Sequence, residues 1–150
     1  MINYLINNTS HQVNFCKLNK ISIISKSIEK INSDKNILLI YDEKISKKII
    51  QNLLNELKLT GCKTFSLKIK GDKINKNEKS LFYIINFLIK NKFTKKSVII
   101  SCGGGVVGDI SALASSLYLR GLIYYNIPTT MTAVVDSCIG GKTGINYKGI

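Results

Sequence analysis

This chain is poor in histidine, arginine and acidic residues. Its 150 residues include one histidine, one arginine and nine Asp plus Glu, against 22 Lys plus Arg. A single imidazole, His11 in the polar opening stretch, cannot build a histidine-rich metal site. The four cysteines, Cys16, Cys62, Cys102 and Cys138, contain no C-x-x-C pair. Their spacing excludes a zinc ribbon and speaks against a disulfide framework, so buried free thiols are expected. No apolar run approaches the roughly 18 residues of a bilayer span. The opening MINYLINNTSHQ lacks the basic-then-apolar order of a secretory signal. The expected compartment is therefore the cytosol, with no membrane partner.

The formal charge of +13 raises the question of nucleic acid. The lysines, such as Lys47, Lys58, Lys68, Lys79 and Lys92, are scattered, and no basic motif is interleaved with aromatics. Abundant Asn and Ile accompany them, as drift in an A/T-rich genome would produce, so no nucleic-acid partner is expected. Arg120 stands out against that background as the one guanidinium. Its planar fork grips a carboxylate or phosphate in a way lysine cannot. The competing reading is a charge that neutralises a helix end.

From Asn36 onward, apolar runs alternate with helical stripes. Residues 37–41 form a continuous apolar run, a buried strand. Ile45, Ile49, Ile50, Leu53, Leu54 and Leu57 follow helical spacing. Residues 64–69 alternate like a strand, and Leu81, Ile84, Ile85, Leu88 and Ile89 make a second helical stripe. Residues 98–101 read as a strand, Ile110, Leu113, Ala114, Leu117 and Tyr118 as a third helix face, and 122–127 as a further strand. Before Asn36 the apolar patches 4–6, 13–15 and 21–24 read as short strands or an irregular entry. The alternation predicts one α/β domain, a Rossmann-like, mostly parallel sheet with helices on both faces. Ligands of such sheets bind at the carboxyl ends of the strands.

Two glycine turns fall there. Gly103, Gly105 and Gly108 match G-x-G-x-x-G, directly after a strand and opening a helix. Asp109 follows at once, where it either caps the helix or hydrogen-bonds a ligand ribose or amide. In Gly140-Gly141-Lys142-Thr143, Lys142 has the setting of an anion ligand, but Asp136 stands where a P-loop needs glycine. Thr129 and Thr130, after Pro128, either bind a cofactor or cap the next helix. By themselves these residues leave open an enzyme and a non-catalytic nucleotide- or nucleic-acid-binding module.

The ordered set GGGVVGD, YLRG, PTT and VDSCIGGKTGIN, within residues 97–149, resembles the 3-dehydroquinate synthase family of the sugar-phosphate cyclases. The resemblance implies an enzyme of aromatic biosynthesis through the shikimate pathway, with a related sugar-phosphate cyclase or a glycerol-dehydrogenase-like enzyme as the alternative. It would convert 3-deoxy-D-arabino-heptulosonate 7-phosphate to 3-dehydroquinate and phosphate, using NAD and a divalent metal, zinc or cobalt. Gly104, Gly105, Val106, Asp109, Thr129 and Thr130 stand where the family binds NAD. Asp42, Lys44 and Lys79 match further cofactor contacts. Lys76 occupies the position of the glutamate in the family's D-G-E-x-x-K segment. Arg120, Asp136, Lys142 and Asn146 match residues that bind substrate. The resemblance also implies a homodimer when full length, and metal ligands in a helical second half outside these residues. The chain is accordingly expected to be the N-terminal, NAD-binding part of a longer synthase, inactive alone.

Overall fold

The computed structural model describes residues 2–6, 9–13, 22–29, 36–139 and 141–148. A separate hairpin opens it: β1 (Ile2–Ile6) pairs antiparallel with β2 (Thr9–Val13), with His11 opposite Tyr4. Helix α1 (Ser22–Glu29) follows. The main body runs β3 (Asn36–Asp42), α2 (Lys47–Lys58), β4 (Lys63–Ile69), α3 (Glu78–Lys90), β5 (Val98–Gly103), α4 (Gly105–Leu117) and β6 (Ile123–Pro128). Its four strands lie in the order β4-β3-β5-β6, and every pairing is parallel.

The central strands β3 and β5 are largely apolar because both faces of the sheet are covered there, whereas the edge strand β4 alternates between buried and exposed positions. Ile37, Leu39, Val98 and Ile100 pack on one face with Ile50, Leu53 and Leu57 of α2 and Ile28 of α1. Leu38, Ile40 and Ile99 pack on the other with Leu81, Ile84 and Leu88 of α3 and with Ile110 and Ala114 of α4. The period-two alternation of the strands thus sorts neighbouring side chains into two cores. The Rossmann-like layering read from the sequence is the architecture observed.

Three local expectations are corrected. Residues 22–24 are helical, not extended: Ser25 and Ile28, three apart, are both buried, so the segment follows a helical period. The third helical stripe stops at Leu117, and Tyr118 belongs to a 3-10 turn, Tyr118–Arg120. Cys62 and Cys102 are buried free thiols as expected, whereas Cys138 is half-exposed; Cys16 and Phe15 lie outside the described residues.

Truncating the central strand tests this packing. Ile100→Ala should cost about 2–5 kcal/mol in urea unfolding, because Ile100 is fully buried between two layers. Ile74→Ala, at an 85% exposed position, should stay within about 0.5 kcal/mol.

Candidate functional site at the carboxyl edge of the sheet

β5 is buried along its whole length and ends in the turn that launches α4. A Cβ on Gly103 would lie 2.7 Å from the Cβ of Val107, so only glycine lets the chain reverse this tightly. A Cβ on Gly105 would meet nothing nearer than the Ser137 hydroxyl, at 3.6 Å. The first glycine is thus required by the fold, whereas the fold leaves room at Gly105. Gly104 is the N-cap and has no side chain to satisfy the first turn of α4. The N–H groups of Gly105, Val106 and Val107 have no acceptor within the helix and face the sheet edge, where the helix dipole favours an anion. The amide of Thr129 donates to the Gly103 carbonyl (2.8 Å), fixing the end of β6 beside this turn.

Asp109 does not cap the helix, because Gly104 already holds that position and Asp109 lies inside α4. Instead its Oδ2 accepts a hydrogen bond from the Lys76 ammonium at 2.5 Å. Thr130 does serve as a local cap: its hydroxyl accepts from the amide of Ala133 at 3.2 Å. Asp42, at the end of β3, accepts from the Lys44 amide through Oδ1 (3.0 Å) and lies against Gly71. Burial first, and the Asp42 carboxylate second, push the Cys102 thiol up to about 12.

The loop at 141–148 reaches back over this edge. The Thr143 hydroxyl donates to the Asp109 carbonyl, and the Asn146 amide donates to the Lys76 carbonyl at 2.8 Å. Lys142, exposed between Gly141 and Thr143, is thereby held on the same edge as the glycine turn. Asp136 lies nearby in chain, exposed in the single π-helical turn Ala133–Ser137 that follows β6. Lys79 is in the first turn of α3, beside a shallow groove lined by Lys68, Lys70, Asn75, Ser80 and Tyr83.

Arg120 is not brought to this cluster. α4 starts at the carboxyl edge and runs back along the sheet for 13 residues, about 20 Å of helix. Arg120 follows it and precedes Ile123, which pairs with Val98 at the opposite edge. The turn is unusual: Leu119, Arg120 and Gly121 all have positive φ, of 50°, 67° and 115°.

Sequence reasoning missed three contributors. Lys76 partners Asp109. Gly71 makes room for Asp42: a Cβ there would lie 2.1 Å from Asp42 Oδ2. A polar cluster beneath α4 was also missed, in which Ser101 donates to Asn126 (2.8 Å) and Tyr124 donates to the Gly108 carbonyl (3.0 Å). The available signals are a glycine two residues past the end of β4 and polar residues inside two otherwise apolar strands. Among the described residues no group of three His, Cys, Asp or Glu side chains gathers to hold a metal ion, and no helix is long and apolar enough to cross a membrane.

Comparison with known proteins identifies the family and the fold. The family model of 3-dehydroquinate synthase N-terminal matches residues 66–150. The 3-dehydroquinate synthase of Clostridium tetani is 43% identical over 122 residues, covering 81% of this chain and 32% of that protein. The Ruminiclostridium cellulolyticum synthase is 30% identical over 149 residues, covering 99% of this chain and 42% of that protein. The chain therefore spans between a third and a half of the length of these relatives. Among solved structures, 2-deoxy-scyllo-inosose synthase in complex with carbaglucose-6-phosphate, NAD+ and Co2+ shares the fold at a TM-score of 0.73 and 20% identity, over 82% of this chain and 34% of that one. A 2-epi-5-epi-valiolone synthase from Streptomyces hygroscopicus, with NAD+ and Zn2+ bound, does so at 0.74 and 22%, over 95% and 40%.

Two measurements test the local geometry. Gly71→Ala should cost about 1–3 kcal/mol in urea unfolding, and less than half of that in an Asp42→Ala background, since the contact is with the Asp42 carboxylate. The raised Cys102 thiol should resist a thiol reagent at pH 8 until the chain unfolds. Its contribution to stability is complete below the thiol's ordinary value of 9.0 and is lost as pH rises from there towards about 12.

Proposed function

Because this chain belongs to the 3-dehydroquinate synthase family, we propose that it is the NAD-binding domain of an enzyme that converts 3-deoxy-D-arabino-heptulosonate 7-phosphate to 3-dehydroquinate and phosphate in the shikimate pathway. The observation that carries this reading is the pair of hydrogen bonds, Thr143 to Asp109 and Asn146 to Lys76, that lays the Lys142 loop across the start of α4. One edge then offers bare amides, carboxylates and an unhindered ammonium. A dinucleotide and a doubly anionic sugar acid need that combination.

NAD, when bound, supplies a reversible acceptor for hydride. The chain's own groups do the rest. The amides of Gly105 and Val106, opened by Gly104, would donate to the pyrophosphate. Asp42 would accept from ribose hydroxyls on the adenosine side, with Lys44 and Lys79 close to that end. Asp109 keeps its second carboxylate oxygen to accept from the nicotinamide half. Thr129 and Thr130 border the same turn. The solved relatives that bind NAD+ on this fold support the assignment.

Lys142 would grip a substrate anion as a point charge, Asn146 would donate to it, and Asp136 would accept from a substrate hydroxyl. Each charge-assisted bond of this kind is worth about 1.5–3 kcal/mol. Arg120, on the far edge, would reach substrate only in a neighbouring copy, which fits a homodimer. The described residues do not fit a metal site. The zinc or cobalt ion that the family resemblance implies would be held outside the described residues.

Gly105→Val provides the sharpest test, because a Cβ there meets nothing in the fold nearer than 3.6 Å and would stand where an approaching pyrophosphate needs bare backbone. Calorimetry should show NAD affinity falling by about tenfold or more. Unchanged affinity would reduce the triple glycine to a structural turn. Lys142→Met in the protein bearing this domain should leave NAD affinity intact and abolish phosphate release. Loss of both together would make Lys142 a cofactor contact instead.

A further inference from the structure

We propose that Lys76 is a positioning residue that clasps the 141–148 loop onto α4. The functional weight of the clasp rests on the proposed role of that loop in substrate binding, but the clasp itself follows from contacts alone. Lys76 sits between the 3-10 turn Lys73–Asn75 and α3. It uses both its ends. The ammonium donates to Asp109 Oδ2 at 2.5 Å, and the backbone carbonyl accepts the Asn146 amide at 2.8 Å. Asp109 in turn accepts the Thr143 hydroxyl at its own carbonyl. The contacts close a ring: Lys76 side chain, Asp109, Thr143, the loop to Asn146, and back to the Lys76 backbone.

The ion pair ties the two fixed points of this ring directly, in addition to the apolar packing of Leu81, Ile84 and Leu88 of α3 with Ile110 and Ala114 of α4. Thr143 and Asn146 anchor to different segments, one on α4 and one before α3. Both anchors persist only while those segments keep their spacing, and the Lys76–Asp109 pair spans that gap. The two side chains are 26% and 16% exposed, which shields the pair from much of the solvent screening that weakens surface pairs. Among the described residues it is also the one ion pair formed, in a chain with 22 basic side chains. Holding Oδ2 orients the Asp109 carboxylate and leaves Oδ1 for a ligand.

Amide hydrogen exchange on the whole chain, without ligand, reads the clasp directly. In Lys76→Met the Asn146 amide should exchange about tenfold faster, while the amides of Leu39 and Ile100 keep wild-type protection. Lys76→Arg, which retains the pair, should restore slow exchange. Asp109→Ala should match Lys76→Met, and combining the two should add nothing further, since both remove one interaction. Unchanged Asn146 exchange in Lys76→Met, failure of Lys76→Arg to restore it, or additive effects in the double variant would overturn the proposal. Should the wild-type chain fail to bind NAD, the proposed function falls while the exchange result stands.

Discussion

The rest of the molecule depends on the way β5 ends. The strand is buried from Val98 to Gly103, so its backbone has no latitude to drift, and the next element must start within a residue or two. Gly103 makes that possible by letting Val107 pack where a side chain would be. The same compression that starts α4 abruptly leaves its first amides without a capping side chain. A fold requirement and a binding surface therefore come from one constraint. A longer, softer connection would relieve the packing and also bury or satisfy the amides.

Around that turn the structure uses backbone as much as side chain. Thr129 anchors β6 to the Gly103 carbonyl, Thr143 anchors the following loop to Asp109, and Asn146 anchors it to Lys76. Lys142 is thus carried on a frame of contacts that does not involve its charged end. Lys142 and Asp136 stay exposed on that frame. This division suits the proposed chemistry, because an ammonium already paired inside the protein would have to break that pair before meeting a substrate anion.

Much of this could be read from the sequence, and the reasons are specific. β3 and β5 are legible because a parallel strand buried on both faces must be an unbroken apolar run, and few other structures need one. The helices are legible because each buries a single stripe. The two glycine turns stand out by composition. Asp109 was ambiguous because an acid near a helix start caps only if it precedes the first turn, and helix boundaries read from sequence are uncertain by a few residues. Its partner Lys76 is 33 positions away, and no local pattern signals a pair at that separation. The family resemblance groups Arg120 with Lys142 and says nothing of where either lies on the sheet. Only the direction of α4 shows that the two lie at opposite edges of the sheet.

The placement of charge extends the argument. The chain carries +13 overall, which would draw anions to its surface without discrimination. Its nine acids are not spread evenly, however. Asp42 and Glu43 follow β3, Asp72 follows β4, Glu78 starts α3, Asp109 lies near the start of α4, and Asp136 follows β6. All six are at or near the carboxyl edge. A lysine-rich field with carboxylates concentrated at one margin does two things at once. It lowers the free energy of a polyanion across the whole face, and it supplies hydrogen-bond acceptors for hydroxyl groups at one place only. Simple polyanions such as nucleic acid would gain from the first and be repelled by the second. A ligand that alternates phosphate with sugar hydroxyls gains from both, and the proposed cofactor and substrate are ligands of that kind.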